Sequence, residues 1–150
     1  MSNLMIQHGE WVVVCDGAKA LVLENAGDTK FPNLKTLDVF EQKDLATHDL
    51  GAEKPGRAFS PAAHGSRGTV EQTDFHDQAE RDFLVHLAKH LDTAITTGKT
   101  KSVIMVAPPR ALGMLRPAYS NALKGAVRAE LDKDLVKQPV HQIEKNLTGA

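Results

Sequence analysis

The sequence predicts an α/β fold in which a mixed five-stranded sheet carries helices on its faces, in the order βββ-α-β-α-β-α. Three observations predict it: β-branched segments separated by turn signals fill the first forty residues, one long amphipathic helix pattern follows, and apolar strands then alternate with helical stretches. Consecutive short strands favour antiparallel pairing, whereas alternating strands and helices favour parallel pairing. The sheet is therefore expected to be mixed.

The first three strands are predicted from apolar segments and turns. Residues 11–16 form a continuous apolar run, and the turn signal Asp16-Gly17 leads into a second strand over residues 18–24. After a further turn, residues 34–40 place apolar side chains at positions typical of a third antiparallel strand. The single cysteine, Cys15, lies in the first run and is expected to be a buried structural thiol.

The long helix is predicted to begin at a cap formed by Thr73 or Asp74 and to stop at Gly98. Its apolar residues recur at spacings of three and four, as one face of a helix requires. They are Phe75, Ala79, Phe83, Leu84, Leu87, Ala88, Leu91 and Ile95.

The remaining elements complete the fold. Residues 101–107 are apolar on both faces, as expected of a central parallel strand, and two prolines end the strand. A helical region over about residues 112–127 is expected to bend near Pro117, a last strand to cover 127–132, and a final helix to run over 139–147. This order is that of the ribonuclease H-type architecture.

Composition narrows the class of protein. The chain has 150 residues with 41% hydrophobic content, which suits one domain over residues 1–150, and its net charge of −1 excludes nucleic-acid binding driven by global charge. One cysteine excludes an internal disulfide and suits a reducing compartment. With no secretory signal and no apolar stretch that could span a membrane, we expect a cytoplasmic protein that does not enter membranes.

The segment over about residues 43–73 is the first candidate for function. Between positions 54 and 70 it contains glycines and prolines, three basic residues and no carboxylate, so its positive charge is local. Long loops inside small domains are often functional or disordered. We expect phosphate or RNA contact here, against the alternative of a solvated loop without a ligand; the candidate residues are Lys54, Arg57, His64, Gly65, Arg67 and Gly68.

The second candidate is a pair of residues at the carboxyl ends of two strands. Asp16 follows the first strand and Arg110 follows the fourth, and if those strands are parallel neighbours both residues lie at one edge of the sheet. Arg110 is expected to bind an anion there, with Asp16 orienting it. The alternative is a structural pair that fastens two turns.

Catalytic and metal sites are less well supported. A ribonuclease H nuclease needs several carboxylates around Mg²⁺, but the companions of Asp16 are few, and helix capping accounts for Asp74 and Asp77. His86 and His90 lie one helical turn apart without a zincin glutamate, so we expect them to flank the apolar stripe. No metal or other cofactor is expected, and no catalytic residue is assigned.

The sequence also resembles the bacterial host-attachment family, whose members are described as proteins required for attachment to host cells. The resemblance covers nearly the whole chain, and its motifs are specific in combination. They are Gly9-Glu-Trp-Val-Val-Val-Cys-Asp-Gly-Ala-Lys-Ala-Leu, Phe31-Pro-Asn-Leu, Pro55-Gly-Arg-Ala-Phe, Val106-Ala-Pro-Pro-Arg-Ala-Leu-Gly113, Asp132-Lys-Asp-Leu135 and Pro139-Val140.

The family in turn resembles the central, catalytic domain of archaeal and eukaryotic release factors. That resemblance implies contact with tRNA or the ribosome, in translation or ribosome rescue. The Gly-Gly-Gln tripeptide that promotes peptidyl-tRNA hydrolysis in release factors is absent from the matching loop, which has Gly65-Ser-Arg-Gly68 and a distant Gln72. Two hypotheses follow: an RNA-binding, release-factor-like domain, or a cytoplasmic interaction or regulatory protein required for attachment to host cells.

Overall fold

The computed structural model describes residues 4–42 and 69–149, with side chains from residue 76 onward in the second range. Its five strands form one mixed sheet in the order β3-β2-β1-β4-β5. The predicted α/β fold is confirmed, and the strand order is compatible with the ribonuclease H-type architecture. The strands are β1 (Trp11–Cys15), β2 (Lys19–Asn25), β3 (Leu34–Glu41), β4 (Val103–Ala107) and β5 (Val127–Asp132).

The middle strand, β1, joins the two halves of the sheet. It pairs antiparallel with β2, with Val13 opposite Val22, and parallel with β4, with Val13 opposite Met105. All five residues of β1 and all five of β4 are buried. Continuous burial on both faces explains why these segments read as apolar runs without alternation. The hairpin and the parallel neighbour predicted for β1 are both confirmed.

The long helix α1 (Thr69–Thr96) begins earlier than predicted. Thr73 and Asp74, the expected caps, lie inside it. The sequence has no glycine or proline between Gly68 and Gly98. No residue in this range therefore interrupts helical hydrogen bonding, and the helix extends back to Thr69. Gly98 has φ +80°, the left-handed conformation that favours glycine after a helix end, and the predicted stop is confirmed.

The second helical region is divided in three, as its prolines and glycines suggest. Helix α2 (Pro109–Leu115) is followed by a 3-10 turn (Arg116–Ala118) and helix α3 (Asn121–Ala126). The predicted bend near Pro117 is confirmed, but the start at residue 112 is wrong. Pro109 occupies the first helical turn, where its missing N–H costs no hydrogen bond. Helix α4 (Val140–Thr148) lies one residue from its predicted bounds.

Two apolar clusters cover the two faces of the sheet. On one face, Val13 and Met105 pack with Phe83 and Leu87 of α1 and with Leu115 and Leu123 of the segments after β4. On the other, Val14 and Val106 pack with Ile143 and Leu147 of α4, together with Ile6. Helices therefore lie on both faces, as expected. In the part of the chain that the structure describes, no helix is long and apolar enough to cross a membrane.

The topology gives the sheet two different edges. We call the edge where β1, β4 and β5 end the carboxyl edge, and the opposite one the amino edge. Because β3 is antiparallel to β2 and β2 is antiparallel to β1, β3 also ends at the carboxyl edge. Asp16 and Pro108 follow β1 and β4 there, and the turn between β2 and β3 lies at the amino edge, where Asn25 bonds Gly9.

Candidate functional site

A small hollow lies at the carboxyl edge, where β1 and β4 end. Its volume is about 210 Å³, and Asp16, Gly17, Glu80, Pro108 and Arg110 are among its lining residues. The turn after β1 contributes the first two, α1 contributes the glutamate, and the start of α2 contributes the others. The structure thus brings Asp16 and Arg110 to one site, at the edge of the sheet where ligands of α/β proteins commonly bind.

Arg110 is not oriented by Asp16 as predicted. Its Nε donates to Glu80 Oε1 at 3.0 Å, and a second guanidinium nitrogen donates to Asp77 Oδ1. Asp16 Oδ1 instead accepts hydrogen bonds from the amides of Ala18 and Lys19, at 2.8 and 2.9 Å. Aspartate commonly closes a tight turn in this way, which leaves its carboxylate committed to the backbone.

Helix capping, which the sequence suggested for Asp77, is also wrong. Since α1 begins at Thr69, Asp77 lies in its interior, one turn before Arg81 and on the side that meets α2. Asp77 and Glu80 hold Arg110 between them, and these hydrogen bonds raise the pKa of the guanidinium, which therefore stays charged. The cluster is a local ion pair network that joins α1 to α2.

A larger groove adjoins the hollow between α1, α2 and the 3-10 turn. Its volume is about 440 Å³, and we call it the arginine groove. Two cations, Arg81 and Arg110, stand above an apolar floor. The groove is lined by Arg81, Val85, Arg110, Gly113, Met114, Pro117 and Ala118.

The two arginines of the groove differ in their freedom. Arg110 is bound to two carboxylates, whereas Arg81 is exposed and has no ion pair partner among the described residues. A charged guanidinium with free donors, one helical turn from an exposed Val85, can bind an anionic group on a ligand that also has an apolar part. Sequence analysis missed Arg81, because no motif in the sequence marks it.

Cys15, His86 and His90 line neither the hollow nor the arginine groove. Burial raises the pKa of the Cys15 thiol to about 12, with a smaller contribution from Asp16, so the predicted buried thiol is confirmed. His86 is exposed, and His90 is partly buried against the ring of Phe40, which confirms that they flank the apolar stripe. Within residues 4–42 and 76–149, no three His, Cys, Asp or Glu side chains are grouped to hold a metal ion.

The predicted phosphate-binding residues of the basic segment lie outside the described residues. They are Lys54, Arg57, His64, Gly65, Arg67 and Gly68. The described chain fixes where this segment leaves and returns: Glu41 ends β3 at the carboxyl edge, and α1 starts at the same edge because it runs antiparallel to β1, with Glu80 near Gly17. Its two ends therefore lie on the side of the molecule that carries the arginine groove.

Comparison with known proteins agrees with the resemblance seen in the sequence. Residues 11–147 match the family model described as protein required for attachment to host cells. The chain is also 35% identical, over 138 residues, to an uncharacterized protein of Rickettsia prowazekii (strain Madrid E), with 85% of each chain covered. The residues that the family model matches include all five strands and the arginine groove. This chain belongs to the family of proteins required for attachment to host cells.

Proposed function

We propose that the carboxyl edge of the sheet binds RNA of the translation apparatus, tRNA or ribosomal RNA, and that the protein acts by binding, in the cytoplasm, without a catalytic step. One observation carries the proposal: the arginine groove lies at the edge where the basic segment leaves β3 and returns to α1. The groove contributes Arg81, which has no ion pair partner among the described residues, and the basic segment contributes further cations in a chain whose net charge is only −1.

Within the groove, Arg81 is the cation best placed for phosphate. The charge of Arg110 is offset by Asp77 and Glu80, whereas the guanidinium of Arg81 has no ion pair or hydrogen-bond partner within residues 4–42 and 76–149. Arginine binds phosphate through paired N–H donors, and phosphate contacts supply most of the sequence-independent affinity for RNA. In the basic segment, we assign further phosphate contacts to Arg57 and Arg67, and keep Lys54, His64, Gly65 and Gly68 as candidates for the same role.

The resemblance to release factors favours RNA over other polyanions. In those proteins the loop between the third strand and the following helix reaches the ribosome, and the basic segment occupies that position here. Without Gly-Gly-Gln in the segment, the proposal includes no hydrolysis of peptidyl-tRNA. The role in attachment that the family description names would then follow from RNA binding inside the cell.

The test is binding of purified tRNA and of ribosomes across a series of salt concentrations. Charge reversal at Arg81 and, in a second variant, at Arg57 and Arg67 together should weaken binding about tenfold or more and lower the steepness of the salt dependence, by about 0.7 to 0.9 per lost phosphate contact. Lys145→Glu, on the exposed side of α4, makes the same change of charge as the reversal at Arg81 but on the opposite face of the sheet, and it should leave binding unchanged.

Equal affinity of the wild type and both charge-reversal variants would reject the RNA proposal. The second function, a cytoplasmic interaction or regulatory protein that acts through a protein partner, would then be favoured. The description of the family names a role in attachment to host cells, which agrees loosely with that alternative.

A further inference from the structure

The turn between β2 and β3, residues 26–33, presents an aromatic side chain to solvent on a fixed backbone. We call it the Phe31 loop. Phe31 is 76% exposed, more than any other large hydrophobic residue of the described chain. A single exposed apolar side chain is common on protein surfaces and by itself carries no inference. Here the exposure is informative because hydrogen bonds hold the backbone of the loop in one conformation.

Asn25 is the centre of the loop's hydrogen bonds. Its side chain is fully buried, and its Oδ1 accepts from the amides of Gly27 and Asn33 at 2.9 and 2.8 Å. Its Nδ2 donates to the carbonyl oxygens of Ile6, Gln7 and Asp28, at 2.8, 3.3 and 3.3 Å respectively. One side chain therefore fastens both ends of the loop to the segment before β1.

The backbone on both sides of the phenyl ring is also bonded. The amide of Phe31 donates to Asp28 Oδ1 at 2.7 Å, and its carbonyl oxygen accepts from the Asp28 amide at 3.2 Å. Gly27 lies so close that a Cβ added there would stand 2.2 Å from the Phe31 carbonyl oxygen. This approach requires glycine at position 27, and it fixes the direction in which the ring leaves the backbone.

A preorganised aromatic side chain is well suited to anchor a binding partner. Aromatic residues dominate the energetic centres of protein interfaces, and a backbone that is already ordered loses little conformational entropy when it binds. The exposed ring contributes little to folding, because burial is the source of hydrophobic stabilisation.

We propose that Phe31 anchors a protein partner at the amino edge, where the ring enters an apolar pocket of that partner. The charges beside the ring indicate the partner's class. Asp28 and Lys30 contribute one charge of each sign, so the loop has no excess positive charge to attract RNA. Asp28 already accepts two backbone amides, while Lys30 is exposed, so the rim of the pocket is expected to present a carboxylate to Lys30.

This site is separate from the proposed RNA site. The Phe31 loop lies at the amino edge, whereas the arginine groove lies at the carboxyl edge, and the two have no lining residue in common. The protein would thus bind different molecules at its two edges. Either proposal can fail without the other, since charge reversal at Arg81 leaves the Phe31 loop intact.

The experiment uses the full chain carrying a photoreactive phenylalanine analogue at position 31, expressed in its native cells. Leu37, which is 43% exposed on β3, is the control position for the same analogue. The expected result is one protein crosslinked at position 31 and not at position 37. That protein is then purified, and its affinity is measured for the wild type and for Phe31→Ala, Phe31→Leu and Leu37→Ala.

We expect Phe31→Ala to weaken binding about 30-fold or more, as for an interface hot spot, Phe31→Leu to weaken it less, and Leu37→Ala to leave it unchanged. All three variants should melt within a few degrees of the wild type, because these side chains are exposed. A crosslinked dimer, crosslinked RNA, or a partner that binds Phe31→Ala as tightly as the wild type would overturn the proposal. So would a large loss of thermal stability in Phe31→Ala, because the ring would then serve the fold.

Discussion

The carboxylate of Glu80 lies against Gly17, so closely that a Cβ added to the glycine would stand 2.8 Å from the Glu80 carboxyl carbon. This contact joins the turn after β1 to the middle of α1. It also sets the position from which Glu80 holds Arg110 at 3.0 Å. A glycine in the turn thus supports the ion pair network at the carboxyl edge, although it takes no part in the network itself.

Gly17→Ala should displace the end of the Glu80 side chain and lower the free energy of unfolding by about 1 kcal/mol or less, because a flexible side chain can move aside. In a Glu80→Ala background the same substitution meets no carboxylate. There it should be neutral or stabilise by about 0.4 to 1 kcal/mol, since alanine restricts the unfolded chain. Urea unfolding of the four proteins in this double-mutant cycle tests the contact, and equal effects in both backgrounds would contradict it.

A second prediction concerns the buried carboxylate of Glu10. Its side chain is 1% exposed and accepts from Arg128 Nε at 2.6 Å. Burial alone would raise the pKa of Glu10, but hydrogen bonds from Arg128, Ser102 and the Gln7 amide together outweigh it and leave the pKa below the ordinary 4.5. The stability that this carboxylate contributes is therefore complete above the pKa of the unfolded chain and is lost as pH falls through the lower pKa of the folded protein.

Arg128→Met should cost about 3 kcal/mol at pH 7, the lower end of the range for removing one partner of a buried pair, because the Arg128 side chain is 36% exposed. The cost should be smaller at pH 3, because below the unfolded chain's pKa of about 4.5 the wild type has begun to lose the stability that the ionised Glu10 contributes. Guanidinium unfolding at the two pH values measures the difference. Lys137→Met, at an exposed position after β5, is the control, and an Arg128→Met cost that is the same at both pH values would show that Glu10 does not titrate as stated.

A third prediction concerns His90, which lies between α1 and β3. Burial lowers its pKa below the ordinary 6.5; the Asp38 carboxylate opposes this effect, while Lys99 and His86 add to it. As pH falls below 6.5, the unfolded chain takes up a proton that the folded protein resists. Stability should therefore decrease from pH 7.5 to pH 5.5.

Thermal unfolding across that range measures the effect, with His90→Leu and His86→Leu as a matched pair. The His90 variant should lose much of the pH dependence, and the His86 variant, changed at an exposed position, should keep it. A wild-type protein that is more stable at pH 5.5 than at 7.5 would contradict the direction of the shift.

A fourth prediction concerns Cys15. With a pKa of about 12 instead of 9.0, its thiolate fraction at pH 8 is about a thousandfold smaller than that of a free thiol. Because the side chain is also fully buried, a disulfide reagent should modify it only when the protein unfolds. The rate of modification should therefore follow the population of unfolded protein as guanidinium is added. Rapid labelling of native protein would contradict the burial of this strand.

Much of the fold could be predicted from the sequence because local patterns decide it. The run before Asp16 and the run over residues 103–107 are apolar on both faces, and that pattern has one common explanation, a central strand. Gly98 and Pro117 mark the end of α1 and the bend after α2 for equally local reasons. The start of α1 was missed because Thr73 and Asp74 cap a helix well and are also tolerated inside one.

The site was harder to predict because it depends on tertiary contacts. Topology placed Asp16 and Arg110 at one edge, but topology does not decide which carboxylate reaches the guanidinium. Asp77 and Glu80 reach the guanidinium of Arg110 because α1 continues past the sheet, and the side of α1 that carries both carboxylates faces α2. Arg81 has no motif around it, and its position in a groove becomes visible only when α1, α2 and the 3-10 turn are packed together.

The pairing of β1 has a consequence for how the chain folds. On one side β1 pairs with β2 across a tight turn, so this hairpin can form as soon as its residues are available. On the other side Trp11 lies opposite Val103, a contact that must wait until most of the chain has been synthesised. Until then the open side of an apolar strand is exposed to other chains. We therefore expect slow synthesis of α1, or a high local concentration of nascent chains, to cause aggregation through β1. This aggregation would occur even when the folded protein keeps its full stability.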